Sequence, residues 1–104
     1  MIQTAAELEA SARRDPEPPD GLSPELRALW FTKAARWEVA HNVAQDIDSK
    51  MGSWIHAHLH VIEGDLWNAG YWYRKAGQPE TKPQELEAEW VKLAEANLDA
   101  RSVE

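Results

Sequence analysis

The sequence has no cysteine, which excludes a disulfide framework and any thiolate metal site. It has no run approaching the ~20 apolar residues of a membrane span. Its opening stretch, MIQTAAELEASARRD, lacks the apolar segment of a secretory signal, so a cytoplasmic protein is expected. Basic residues are the scarcer charge: 11 Lys and Arg stand against 18 Asp and Glu, a formal net charge of −7. Non-specific nucleic-acid binding needs a basic footprint, and an anionic membrane surface repels a chain of this sign. Neither nucleic acid nor membrane is expected as a partner. There is no Gly-rich phosphate loop, no Cys nucleophile and no Ser with a base nearby in sequence. An Asp46–His41 pair can be drawn, but it specifies no reaction. No enzymatic activity is expected.

What the sequence does have is tryptophan, six in 104 residues. Each indole brings ~150–250 Å² of mostly apolar surface, so these rings must dominate a core or an interface. A chain of this length is one domain, and it can bury roughly two-thirds of its unfolded surface.

The most informative stretch is WIHAHLHVIEGDLWNAGYWYRKAGQP, residues 54–79. It holds three of the four His, three of the six Trp and both Tyr. Gly64-Asp65 reads as a hinge: Gly suits the left-handed position past a helix, and Asp caps the next one. Upstream, Trp54, Ile55, Ala57, Leu59, Val61 and Ile62 cover more than half of a helical surface. Ser53, His56, His60 and Glu63 form a narrow polar stripe on the rest. Downstream, Leu66, Ala69, Trp72, Tyr73 and Ala76 make one apolar face. Gly77 and Pro79 end that helix. Two helices joined by so short a turn pack antiparallel.

Elsewhere the punctuation is equally local. Thr4-Ala5-Ala6-Glu7 is a capping box for a short helix to about Arg14, with few apolar residues to dock it. Residues 15–21, DPEPPDG, form a linker whose prolines exclude a helix. Ser23-Pro24 restarts helix as N-cap and first residue. A break is expected near Ala34-Ala35, then a second helix to about Ile47 burying Trp37, Val39, Ala40, Val43, Ala44 and Ile47. Residues 48–53 are expected as a loop containing Gly52. Thr81-Lys82-Pro83 opens a last helix with Leu86, Trp90, Leu93, Ala94 and Leu98 inward, and Glu85, Glu87, Glu89, Lys92 and Glu95 on solvated outer faces. Residues 101–104 are expected to fray. The division is therefore 1–22, a short helix and Pro-rich linker, and 23–104, one helical domain.

Ala28, Ala35, Ala40, Ala44 and Ile47 each precede Ala57, Gly64, Ala69, Tyr73 and Ala76 by 29 residues. This is a degenerate internal repeat. On Ala57, Gly64-Asp65, Ala69, Tyr73 and Ala76, the chain resembles the tetratricopeptide superfamily. AGYWYRKAGQ is similar to the second helix of a Sel1-like repeat. The chain departs from that pattern at Trp54, one residue out of step, at His56 and His60, where large apolar residues are common, and at the early Pro79. The resemblance implies an all-α fold of two antiparallel hairpins with a C-terminal capping helix. It implies a small scaffold- or adaptor-like interaction module with a protein or peptide partner. A short stack leaves an apolar end that the first helix or a second copy of the chain would cover, hence a homodimer.

Candidate binding residues follow from the surfaces. His56 and His60 are four apart, so both rings leave one helical face, and Glu63 continues it. That is how a helix offers two imidazoles and a carboxylate to Zn²⁺ or a similar divalent ion, with His41 as an outlying member. The competing reading has Glu63, Asp46, Gln45 or His41 accepting or donating hydrogen bonds across the helix interface, with no cofactor. His58, among apolar neighbours, is expected to be structural. Trp67 and Tyr71 lie off the buried face of their helix and are candidate partner contacts. Trp72 and Tyr73 are expected in the core.

Overall fold

The computed structural model describes residues 2–102, and the side chains of residues 2–100. The described residues are all-helical: α1 Ala5–Arg14, α2 Pro24–Lys33, α3 Trp37–Gln45, α4 Lys50–Glu63, α5 Leu66–Ala76, a 3₁₀ turn Pro83–Glu85 and α6 Leu86–Ser102. Each of the six helices expected from the sequence is present. No helix among them is long and apolar enough to cross a membrane.

The starts and stops are made by the residues that the local chemistry singles out. Thr4 Oγ1 accepts the Glu7 N–H, and the Glu7 carboxylate accepts the Thr4 N–H in return. Ser23 caps α2 by accepting the Leu26 N–H. Gly64 and Gly77 end α4 and α5 at φ 87° and 72°, and Asp65 caps α5 through the Asn68 N–H. The break between α2 and α3 falls at Ala35, whose φ of 61° is the single positive value among the described non-glycine residues.

Two boundaries differ from expectation. The loop after α3 is shorter, because Ser49 accepts the Gly52 N–H and starts α4 at Lys50. Gly52 is inside that helix, where a Cβ would lie 2.1 Å from the Ile47 carbonyl oxygen. Its role is close approach, and no side chain fits there. At the other end, α6 runs to Ser102, so residues 101–102 continue the helix, and 103–104 lie outside the described residues.

Helix α4 is the middle of the molecule. It packs on α2, α3, α5 and α6. The larger core joins Leu8 of α1, Leu26, Leu29, Trp30 and Phe31 of α2, Ile55 and Leu59 of α4, and Trp90, Leu93 and Leu98 of α6. Helix α1 docks rather than frays, despite its few apolar residues: Leu8 is fully buried, and Ser11 accepts the Trp30 indole N–H at 3.0 Å. A smaller cluster, Ala57, Val61, Ala69 and Tyr73, joins α4 to α5, which fold back on each other about Gly64-Asp65.

Indole N–H groups tie elements together. Trp90 donates to the Leu29 carbonyl at 3.1 Å, and Trp37 to the Leu59 carbonyl at 2.7 Å. Buried indoles need such acceptors. Three expected core positions lie elsewhere. Ile62 and Leu66 flank the hinge and are exposed, because the turn lifts both out of the α4–α5 contact. Trp72 is half-buried, with one face on His56. Of the expected inner face of α3, Ala40 and Ala44 are fully buried, while Trp37, Val39, Val43 and Ile47 are half-buried.

Candidate functional site

Helix α4 carries histidines at 56, 58 and 60, and the helical period sends them to different neighbours. His56 and His60 face α3, where they meet His41. His56 Nε2 lies 2.9 Å from His41 Nε2. The three rings sit with centroids 4.6 Å (41 to 56), 4.8 Å (56 to 60) and 5.3 Å (41 to 60) apart. One ligand-type nitrogen from each of the three lies within 4.8 Å of the others. His56 and His60 are each only 5% exposed, and His41 is half-buried.

The surroundings hold these rings in place. His41 stacks on Trp37 at 4.9 Å and 14°. His56 stacks on Trp72 at 3.9 Å and 18°. His60 Nδ1 is 2.5 Å from Glu63 Oε2, so that ring donates its Nδ1–H to the carboxylate. Of the four acceptors considered from sequence, the ring nitrogens thus find Glu63 and His41. Burial lowers the affinity of His56 for a proton, and the neighbouring His41, His60 and Lys75 lower it further, to a pKa of about 4. Burial likewise depresses His41, assisted by His60 and opposed by Glu63. At neutral pH both imidazoles are uncharged and keep a lone pair, the form in which a His ligates a metal.

The α5 candidates are placed on the surface next to this cluster. Trp67 is 82% exposed, and Tyr71 is exposed one helical turn on. Tyr71 packs edge-on against Trp72 at 5.1 Å, and Trp72 covers His56. With Leu66, also exposed, these form an apolar ridge on the first half of α5, whereas Ile62 is exposed on the side of α4 that carries His58.

His58 faces the opposite way, and its partner was not anticipated. Glu89, expected on a solvated face of α6, is 6% exposed. Its Oε1 takes His58 Nδ1 and the Tyr73 hydroxyl, each at 2.7 Å. Its Oε2 takes the Trp54 indole N–H at 2.9 Å and the Thr81 hydroxyl at 2.6 Å. Burial pushes the Glu89 carboxyl up, yet the hydrogen bonds from His58, Thr81, Trp54 and Tyr73 outweigh it and hold the group below its ordinary value. Burial first, then the charge and hydrogen bond of Glu89, push the Tyr73 hydroxyl upward. A cavity of about 510 Å³ borders Trp54, Thr81 and Glu89, but both carboxylate oxygens are already saturated by donors. This is a structural knot. A signal for it exists in the sequence: Glu89 lies three residues after Leu86 and four before Leu93, within the apolar stripe of α6.

No family model, curated protein or solved structure matches this chain.

Proposed function

We propose that this protein is a small cytoplasmic interaction module without catalytic activity, and that its docking surface is the exposed apolar ridge of α5 next to the hinge. One observation carries the reading. Of the five exposed large hydrophobic side chains among the described residues, three fall within the first six positions of α5, Leu66, Trp67 and Tyr71. Scattered exposed hydrophobics need no explanation, whereas a contiguous set rimmed by polar groups marks an interface. Exposed Asp65 precedes it in the chain, and Lys75 Nζ lies 6.0 Å from the Tyr71 ring centroid, so polar groups adjoin it. Tryptophan and tyrosine are also the residues that most often anchor protein partners.

The scaffold reading is that α2–α3 and α4–α5 are two degenerate tetratricopeptide-like units of the Sel1 type, capped by α6. Its best support is the hinge. Ala35 and Gly64, 29 positions apart, both adopt left-handed backbone at φ 61° and 87°. The small residues Ala28 and Ala57, and Ala40 and Ala69, are buried in both units. In this reading the partner is a protein or peptide segment, or a second copy of the chain as a homodimer.

A photo-cross-linking side chain at position 67 tests this, with position 38 on exposed α3 surface as the control. A discrete adduct from position 67 alone, lost on Tyr71→Ser, is the expected result. An adduct of twice the chain mass identifies the homodimer. No adduct, or equal adducts from both positions, would overturn the reading.

A further inference from the structure

We infer that His41, His56 and His60 form a three-nitrogen site for a divalent transition metal of the zinc class, with Glu63 orienting His60 from behind. The inference does not rest on the interaction reading. Three features of the geometry carry it.

The first is convergence. Nitrogens from two helices and three ring planes come within 4.8 Å of one another. In a tetrahedral zinc site with Zn–N bonds of about 2.0–2.1 Å, ligand nitrogens lie roughly 3.3 Å apart. The His41–His56 separation of 2.9 Å needs to open by only a few tenths of an ångström. An ion would replace the one hydrogen bond those two rings can share, since only one of them can donate along that line.

The second is orientation. Metal-bound imidazoles usually give their other nitrogen to a carboxylate or carbonyl. Glu63 does this for His60 at Nδ1. Trp37 and Trp72 fix the planes of the other two rings by stacking. Glu63 thereby stands behind a ligand rather than among the ligands, and His41 supplies the third nitrogen. The alternative grouping of His60 with Glu63 and Asp65 is more exposed. There Asp65 already accepts the Asn68 N–H as helix cap.

The third is donor type. Three imidazoles and no carboxylate in the ligand set favour zinc, copper(II), nickel or cobalt over magnesium or calcium, which take oxygen ligands. Three protein nitrogens leave one tetrahedral position to water or to a donor from a partner. The rings bridge α3 and α4, so a bound ion also ties those helices together.

The test uses the full chain, free of any polyhistidine tag and stripped with chelator. Co²⁺ and Zn²⁺ are the probes. One equivalent of Co²⁺ should give the visible absorption of a four-coordinate ion, displaced by Zn²⁺, and Zn²⁺ but not Mg²⁺ should raise the melting temperature. His41→Asn and His60→Asn should abolish the spectrum, and Glu63→Gln should weaken binding by about 10–100-fold. Because these variants remove native contacts, imidazole ¹H–¹⁵N spectra of the unaltered protein provide the second measurement. Resonances of His41, His56 and His60 should move with Zn²⁺ while those of His58 stay. No Co²⁺ spectrum and no change in those three rings would overturn the site. So would movement of the His58 resonances instead.

Discussion

Two polar clusters meet helix α4 on opposite sides, and they differ in how their hydrogen-bonding capacity is spent. Around Glu89, one α6 carboxylate collects donors from α4, α5 and the Thr81 segment, and both oxygens are saturated. Around His41, three imidazoles face one another with a single shared hydrogen bond between His41 and His56, and with His60 served from behind by Glu63. The first arrangement locks helices and leaves nothing to offer. The second brings three ring nitrogens within 4.8 Å of one another with one hydrogen bond among them. A buried polar group that is fully satisfied specifies structure, and one with unspent ligand capacity is where a bound partner fits.

The largest effect should come from cutting the saturated knot. Glu89→Ala leaves His58, Tyr73, Thr81 and Trp54 without their acceptor, and should cost about 3–5 kcal/mol in denaturant unfolding. A loss under about 1 kcal/mol would mean that water replaces the carboxylate freely, and the contrast between the clusters would fail.

Acid should separate the two clusters in a chelated sample. His56 is depressed from the ordinary 6.5 to about 4 in the folded chain. The unfolded chain therefore binds this proton first, so the stability present above pH 6.5 drains away as pH falls toward 4. The amount is on the order of 2–3 kcal/mol. The Glu89 carboxyl lies below its ordinary 4.5 when folded, so its contribution holds above 4.5 and is lost only as pH falls through the folded value. Unfolding midpoints across pH 7.5 to 3 should fall in two steps, and His56→Asn should flatten the upper one. An unchanged upper step in that variant would remove the electrostatic difference.

Ala35→Gly tests the scaffold that delivers His41. A left-handed alanine is strained by roughly 1–2 kcal/mol, partly offset by the greater freedom of unfolded glycine. A net gain of about 0.5–1 kcal/mol is expected, with the acid profile unaltered. Destabilisation would show that the Ala35 methyl carries packing that the hinge geometry does not reveal.

The smallest effect on stability should come from the ridge, which lies outside both clusters. Trp67→Ser should change the unfolding free energy by less than about 0.5 kcal/mol. A larger loss would make the ring part of the fold and would count against its role as a docking contact.

Much of the candidate surface is legible in the sequence. The four-residue spacing of His56 and His60 and the following Glu63 put three groups on one stripe, and Trp67 and Tyr71 lay off an apolar face. Burial of the stripe was not legible. It depends on α3 lying across it, and His41 is fifteen positions from His56. Glu89 was placed in water because a carboxylate among other acids on a helix is ordinarily solvated. The exposure of Ile62 and Leu66 was likewise hidden, since apolar periodicity does not say where a turn leaves the packed interface.

Sequence by itself determined what acts within about four residues. Helix starts at Thr4, Ser23 and Asp65, helix stops at Gly64 and Gly77, the prolines of 15–21, and the face shared by His56 and His60 all rest on local sterics and capping. Tertiary structure decided which faces are dry and which polar groups meet. Glu89 is a buried anion only because His58, Tyr73 and Trp54, 31, 16 and 35 positions away, converge on it together with Thr81. The cost of burying a charge is met only when all of those donors arrive, and that condition belongs to the packed arrangement of helices rather than to any one segment.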